Sequence, residues 1–257
     1  MTALAYESFH LGRRTMRRWL RVPANWISTI FFPLIQLVIF SQLYQQITEL
    51  PAFGPEENYL AYLAPGQVAF AAFFAVSWAG FGLIIESRNG YLDKLRALPI
   101  QRWSILVGEM VPLFFQAAGM SGVVLIVSVL LGARIETGVP GFLMILLLSG
   151  LFGLSFAGIS FIPALLTRSE QATSTLSLVL FPVVFMSTAF VPEAMMPGWM
   201  QVVNDWNPIT FLIEAIRPLM SSGFDWSAIG RALVAIGIIG LVLQAGTIWA
   251  FRRLANQ

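Results

Sequence analysis

Glu109 falls about two turns into an apolar run that begins near Trp103. An ionisable side chain at membrane depth marks a functional site by default. Two readings stand side by side. The carboxylate binds a cationic substrate or relays protons, or it is structural, lying near the interface and paired with Arg102 or a neighbouring helix. The rest of the chemical inventory is thin. There is one histidine, His10, and no cysteine, which argues against a transition-metal site and excludes disulfides. His10 lies among arginines, where an interfacial position suits it better than a catalytic one. Glu214 and Arg217 stand three apart, as a simple helical pair or as a pin in a gate.

Two further groups have spacing that implies work. Arg13, Arg14, Arg17, Arg18 and Arg21 lie on one side of a helix whose other side carries Phe9, Met16, Trp19 and Leu20. That is the pattern of an interfacial helix on anionic lipid. A plain positive-inside anchor would select the same arginines. Pro23 ends the helix. Downstream, the stretch from Glu86 carries the turn signal Asn89-Gly90. Tyr91, Leu92, Leu95 and Leu98 then repeat at helical spacing, with Arg88, Asp93, Lys94 and Arg96 around them. Pro99 stops the pattern. So short a helix is marginal alone and needs a docking partner.

The elements that position these groups must be membrane helices. Of 257 residues, 57% are hydrophobic and 11% charged, against roughly 25% charged in soluble domains. About 20 apolar residues cross a bilayer as a helix. Six stretches qualify: 26–44, 59–85, 103–131, 140–166, 172–191 and 228–251. Before the last lies an apolar segment broken by Pro192, Pro197, Pro208 and Pro218. Short re-entrant helices fit it, because irregular backbone survives at membrane depth only under cover of protein or water. Ser149, Gly153 and Ala157 recur every four residues, as do Ala71, Ala75 and Ala79, which favours close helix packing.

Orientation follows from charge. Twelve of the 15 basic residues precede the first span, join spans two and three, or follow spans four and six. Arg134, Arg217 and Arg231 lie on the other side, with most of the acids. Both termini are therefore expected in the cytoplasm. A net charge of +2 is too small to suggest nucleic acid. The N-terminal arginines precede a full-length span without a clear cleavage site, so the first span is expected to stay in the protein.

The order of these pieces resembles a known family. A basic helix, two spans, a short charged helix ending in Leu98-Pro99, four more spans, Phe190-Val191-Pro192, and the run from Asn207-Pro208 to Glu214 and Arg217 together look like permeases of ABC type-2 exporters. Daunorubicin-resistance and nodulation-factor export permeases are the nearest groups. The resemblance covers residues 1–257 as one all-α, six-span domain. It implies that 1–23 is the interfacial helix and that 86–100 is a coupling helix seated in an ATPase. On that basis Glu86, Arg88, Tyr91, Leu92, Asp93, Lys94, Leu95, Arg96, Leu98 and Pro99 form the coupling surface. It also implies that 192–218 closes the extracytoplasmic end, with Phe190, Pro192, Pro197, Asn207, Pro208, Glu214 and Arg217 at the gate.

The same resemblance implies two copies of a separate ABC ATPase subunit, a second permease as homodimer or heterodimer, and a location in the inner (plasma) membrane. No G-x-x-x-x-G-K-[ST] motif occurs in the sequence. Leu148-Ser149-Gly150 superficially matches an ABC signature but sits inside an apolar span. The chain is thus expected to be no enzyme and to hold no cofactor, with ATP and Mg bound by the partner. The implied substrate is amphipathic or lipid-linked: a drug, a glycolipid or a lipo-oligosaccharide. An ion-coupled secondary transporter is the alternative, and a scaffold or insertase a third reading.

Overall fold

The computed structural model describes residues 2–50, 53, 58–90, 94 and 101–255. Every regular element among them is helical. Helix α1 runs Thr2–Arg21. Pro23, which lacks the N–H that a first helical turn leaves unused, opens α2, Pro23–Leu43. Helix α3, Tyr59–Ser77, starts where the Asn58 side chain accepts from the Ala61 N–H at 2.8 Å. It continues after a break as α4, Gly80–Arg88. Helix α5 spans Arg102–Leu130. Helices α6, Gly138–Phe156, and α7, Gly158–Thr167, form another broken pair. Arg168, at φ 51°, ends α7 in a left-handed turn.

Among the described residues, five stretches are long and apolar enough to cross a membrane: Trp26–Leu43, Tyr59–Arg88, Trp103–Leu130, Gly138–Thr167 and Trp226–Arg253. The fifth span expected from sequence, 172–191, takes a different form. Its helical part is α8, Glu170–Leu180, with the single turn α9, Pro182–Phe185. That helix falls short of the roughly 20 residues a straight crossing needs. Pro182 contributes no N–H to the helix ladder. Beyond Phe185, side chains from other elements take up the backbone carbonyls. After it come a 3₁₀ turn at Glu193–Met195, α10, Gly198–Asp205, and α11, Pro208–Ser221. The final helix, α12, is Trp226–Ala255.

The two helix breaks meet. The Gly80 N–H, freed from its ladder, donates to Ser160 Oγ at 2.8 Å. A Cβ at residue 80 would collide with the Ser160 carbonyl, so glycine is what lets α4 sit against α7. Gly153 likewise packs against Ala117 of α5 with no room for a side chain, and Ser149 is fully buried. The small-residue spacing read from sequence thus marks a real helix contact. The core lies around α3, α5, α6 and α11, with Phe70, Phe152, Ile145 and Leu212 fully buried. The outer spans are α2 and α12: 28% and 22% of their apolar windows are buried, against 56–61% for the other three.

Candidate functional site

The first polar cluster forms where α1 crosses the other helices. Gly12 and Gly108 let α1 lie close on α5: a Cβ on Gly12 would come 3.3 Å from the Gly108 carbonyl oxygen. At that approach, residues within the next two turns of α1 reach buried acids. Arg14 and Arg18 both contact Glu86 Oε1, at 2.8 and 2.5 Å. The Glu86 side chain is 3% exposed, whereas the two guanidinium-bearing side chains are 38% and 36% exposed. Two cations thus compensate a carboxylate that burial alone would penalise by several kcal/mol. Glu86 Oε2 has no hydrogen-bond partner among the described residues. Thr15 Oγ1 donates to Glu109 Oε1 at 2.7 Å. Glu7 accepts from the Gln101 N–H at 3.1 Å and from Ser104 Oγ at 2.6 Å, so it caps the start of α5.

Of the alternatives open for Glu109, the structure gives it a partner on a neighbouring helix, Thr15. The carboxylate also lines a cavity of about 690 Å³ between α1, α2, α3, α4 and α5, with Arg18, Trp19, Trp78, Phe81 and Gln116. Among the expected coupling residues, Glu86 turns away from solvent toward α1. Arg88 is exposed and pairs with Glu170 at the start of α8, at 2.6 Å. Lys94 is helical, its N–H donating to the Gly90 carbonyl at 3.1 Å. Gly90 itself adopts φ +66°, as the Asn89-Gly90 signal predicts. Tyr91, Leu92, Asp93, Leu95, Arg96, Leu98 and Pro99 lie outside the described residues.

The second cluster gathers most of the expected gate residues. After Phe185 the chain leaves helical geometry, and its carbonyls need donors. Asn207 Nδ2 donates to the carbonyls of Val183 and Met186, at 2.7 and 3.0 Å. Its Oδ1 accepts from the Ile209 N–H at 3.0 Å, capping α11 behind Pro208. Arg217 donates to the Thr188 carbonyl at 2.9 Å and to the Tyr62 carbonyl at 3.1 Å. Its guanidinium also sits 3.8 Å from the centre of the Tyr62 ring. Tyr62 Oη donates to the Thr188 carbonyl at 3.0 Å, and Tyr59 Oη to the Phe190 carbonyl at 2.9 Å. The Phe190 ring stacks on Phe185, 5.1 Å between centres.

This arrangement can hold one segment, 186–191, between α3 and α11 through directional bonds. Gly66 makes the approach possible, since a Cβ there would meet Ala189 backbone at 2.6 Å. The simple helical pair of Glu214 with Arg217 does not form; no such ion pair exists among the described residues. Arg217 serves carbonyls instead, while burial raises the pKa of the half-buried Glu214 and the nearby Arg231 opposes the rise. Pro192 and Pro197 flank the 3₁₀ turn and do not join the bonded cluster, but Gln201 Nε2 steadies that turn through the Glu193 and Met196 carbonyls, at 3.2 and 3.0 Å.

Sequence reasoning missed Tyr59, Tyr62, Thr15 and Glu7. The tyrosines carried a usable signal, being three apart at the start of a span, where aromatic residues anchor interfaces. Thr15 and Glu7 carried none, because their partners are 94 or more positions away.

Comparison with known proteins gives one family match that takes in both clusters. The ABC-2 type transporter family matches residues 6–221. A daunorubicin resistance ABC transporter permease protein, DrrB1, from Streptomyces coeruleorubidus is 28% identical over 243 residues, covering 93% of this chain and 84% of its own length. The ycf38 protein of Cyanophora paradoxa, whose name places it only among transport permeases, is 30% identical over 253 residues, covering 92% of this chain and 86% of its own. A chain named as a probable doxorubicin resistance ABC transporter permease protein, DrrC, from Mycobacterium tuberculosis is 25% identical over 244 residues, with coverages of 95% and 87%. With its multi-pass apolar helices, and with both the α1 cluster and the Asn207–Arg217 cluster inside the matched range, the chain belongs to the ABC-2 type transporter family.

Proposed function

We propose that this chain is the membrane-embedded permease of an ATP-driven exporter that moves an amphipathic or lipid-linked substrate out of the cytoplasm. The observation that carries the proposal is the family match over residues 6–221, which takes in both the stretch from Glu86 to Pro99 and the stretch from Asn207 to Arg217. The sequence contains no phosphate-cradling loop, so hydrolysis falls to a separate ATPase that binds ATP and Mg. Two such subunits and a second permease, identical or related, complete the assembly. The drug-resistance names of the relatives support a drug-like amphiphile. So does the cavity beside Glu109, whose about 690 Å³ lies within the roughly 300–1,000 Å³ of small-molecule sites.

In this reading the chain sits in the plasma membrane with both termini in the cytoplasm. The fifth of the six crossings, 172–191, is made by α8, α9 and the bonded segment to Val191. Residues 192–218 form the re-entrant extracytoplasmic closure, and 86–100 couple it to the ATPase. The arginine clamp supports this division, because Glu86 opens the proposed coupling segment and ties it to α1. Opening the gate would require the segment 186–191 to release its bonds to Tyr59, Tyr62 and Arg217.

The test is co-purification of the ATPase with Leu95 variants. Leu95→Asp places a charge in an apolar contact at a cost of several kcal/mol, so the ATPase should be lost while membrane insertion survives. Lys94→Ala should retain it, since rim charges contribute little. Retention of the ATPase with normal export by Leu95→Asp would refute the coupling role.

A further inference from the structure

The five arginines of α1 divide into sets that face different things. Arg14 and Arg18 turn inward to Glu86. Arg13 and Arg17 are exposed and have no ion-pair or hydrogen-bond partner among the described residues. Both line a groove of about 590 Å³ between α1 and α5, on the flank of the Gly12–Gly108 crossing away from Glu86. The floor of that groove is apolar. Phe9 is 65% exposed, Val111 45% and Phe115 58%, and Met16 and Pro112 close the gap between them. No acidic residue lines it. Ser8 lines it too, buried, with its hydroxyl unpartnered among the described residues.

We infer that this groove is a binding site for one anionic glycerophospholipid of the cytoplasmic leaflet, with its phosphate on Arg13 and Arg17 and an acyl chain along Phe9, Val111 and Phe115. Two cations at one end of an apolar trough match an amphiphile with one anionic end. Guanidinium binds phosphate through paired charge-assisted hydrogen bonds, and the cytoplasmic leaflet is where anionic lipid concentrates. The trough opens sideways from a membrane helix, so an acyl chain can enter without leaving the bilayer. The site would hold α1 against α5, and through Arg14 and Arg18 it would fix the position of Glu86. The inference rests on the reading of α1 as a membrane-surface helix.

Native mass spectrometry of the purified chain tests it, with phosphatidylglycerol, phosphatidylcholine and inorganic phosphate as probes. One phosphatidylglycerol per chain should be retained, and neither of the other probes. Each of Arg13→Gln and Arg17→Gln should weaken retention roughly fivefold, and the pair about 25-fold, while Arg13→Lys/Arg17→Lys should keep most of it. Should the double variant fail to insert, Ala5→Leu, which narrows the groove with both arginines present, should still weaken binding about fourfold for each methylene displaced. Equal retention of phosphatidylcholine, or unchanged phosphatidylglycerol binding in the glutamine variants, would overturn the site. So would a cysteine at Phe115 that cross-links to a second copy of the chain or to another protein, because the groove would then be filled by protein. A nitroxide on Leu20→Cys reports independently whether α1 lies at headgroup depth. A label found in bulk water refutes the surface-helix reading, whereas a label at headgroup depth with no lipid retained refutes only the site.

Discussion

Replacing Arg217 by methionine removes the guanidinium that joins α11 to the segment 186–191 and keeps much of its apolar stem. The loss can be worked out bond by bond. Two hydrogen bonds disappear, to Thr188 at 2.9 Å and to Tyr62 at 3.1 Å. Neither acceptor is orphaned. The Thr188 carbonyl keeps the Tyr62 hydroxyl at 3.0 Å, and the Tyr62 carbonyl lies within a helical ladder. The full desolvation penalty therefore does not apply, and each bond contributes about 1 kcal/mol net. The contact with the Tyr62 ring, at 3.8 Å, adds about 0.5–1 kcal/mol. The segment should loosen by about 2.5–3 kcal/mol, which raises its open population roughly 70- to 160-fold. The chain has no cysteine, so Thr188→Cys gives a single reporter, and residue 188 is only 8% exposed. Its reaction with a membrane-impermeant maleimide should accelerate by that factor in Arg217→Met. Tyr62→Phe, which loses one neutral bond, should give about fivefold. Labelling within threefold of the parent in a folded Arg217→Met protein would show that the guanidinium does not hold the segment shut.

Glu86→Gln should free α1. The loss is discounted from the roughly 3–5 kcal/mol of a fully buried pair to about 1–3 kcal/mol, since Arg14 and Arg18 are more than a third exposed. Limited trypsin digestion of proteoliposomes should then cut at the α1 arginines well before it cuts the parent; equal rates would refute the clamp. Glu214 has its pKa raised, mainly by burial, so the folded state prefers its protonated form. Its contribution to stability is retained below the ordinary carboxylate value and is lost as pH rises from there through the raised folded value. Thermal melting of Glu214→Gln should lack that decline; parallel pH profiles for parent and variant would show that Glu214 does not cause it. For topology, Arg96→Cys should react only from the cytoplasm and Glu56→Cys only from outside, and labelling of both from one side would end the six-crossing proposal.

What the sequence determined by itself was set by local composition and periodicity. The apolar runs between charged flanks name α2, the α3–α4 pair, α5, the α6–α7 pair and α12, because a bilayer selects length and hydropathy whatever the neighbours are. Pro23, Asn89-Gly90 and Asn207-Pro208 punctuate the chain where they stand, since ring closure, left-handed backbone freedom and side-chain capping act within a few residues. Family membership was legible too, because it rests on the order of such pieces.

Tertiary structure decided the rest. The expected span at 172–191 is apolar enough to read as one helix. Its backbone past Phe185 instead takes donors from Tyr59, Tyr62, Asn207 and Arg217, the farthest of them 131 positions away. Glu86 reads as the first residue of a charged helix that docks on a partner, yet it is buried because Gly12 and Gly108 bring Arg14 and Arg18 across to it. Five arginines on one helix look alike in sequence. Only the crossing of α1 over α5 separates the two that neutralise a buried acid from the two that border an open groove. A charge's role depends on what lies within a few ångströms of it, and that distance is set by packing between helices remote in the chain.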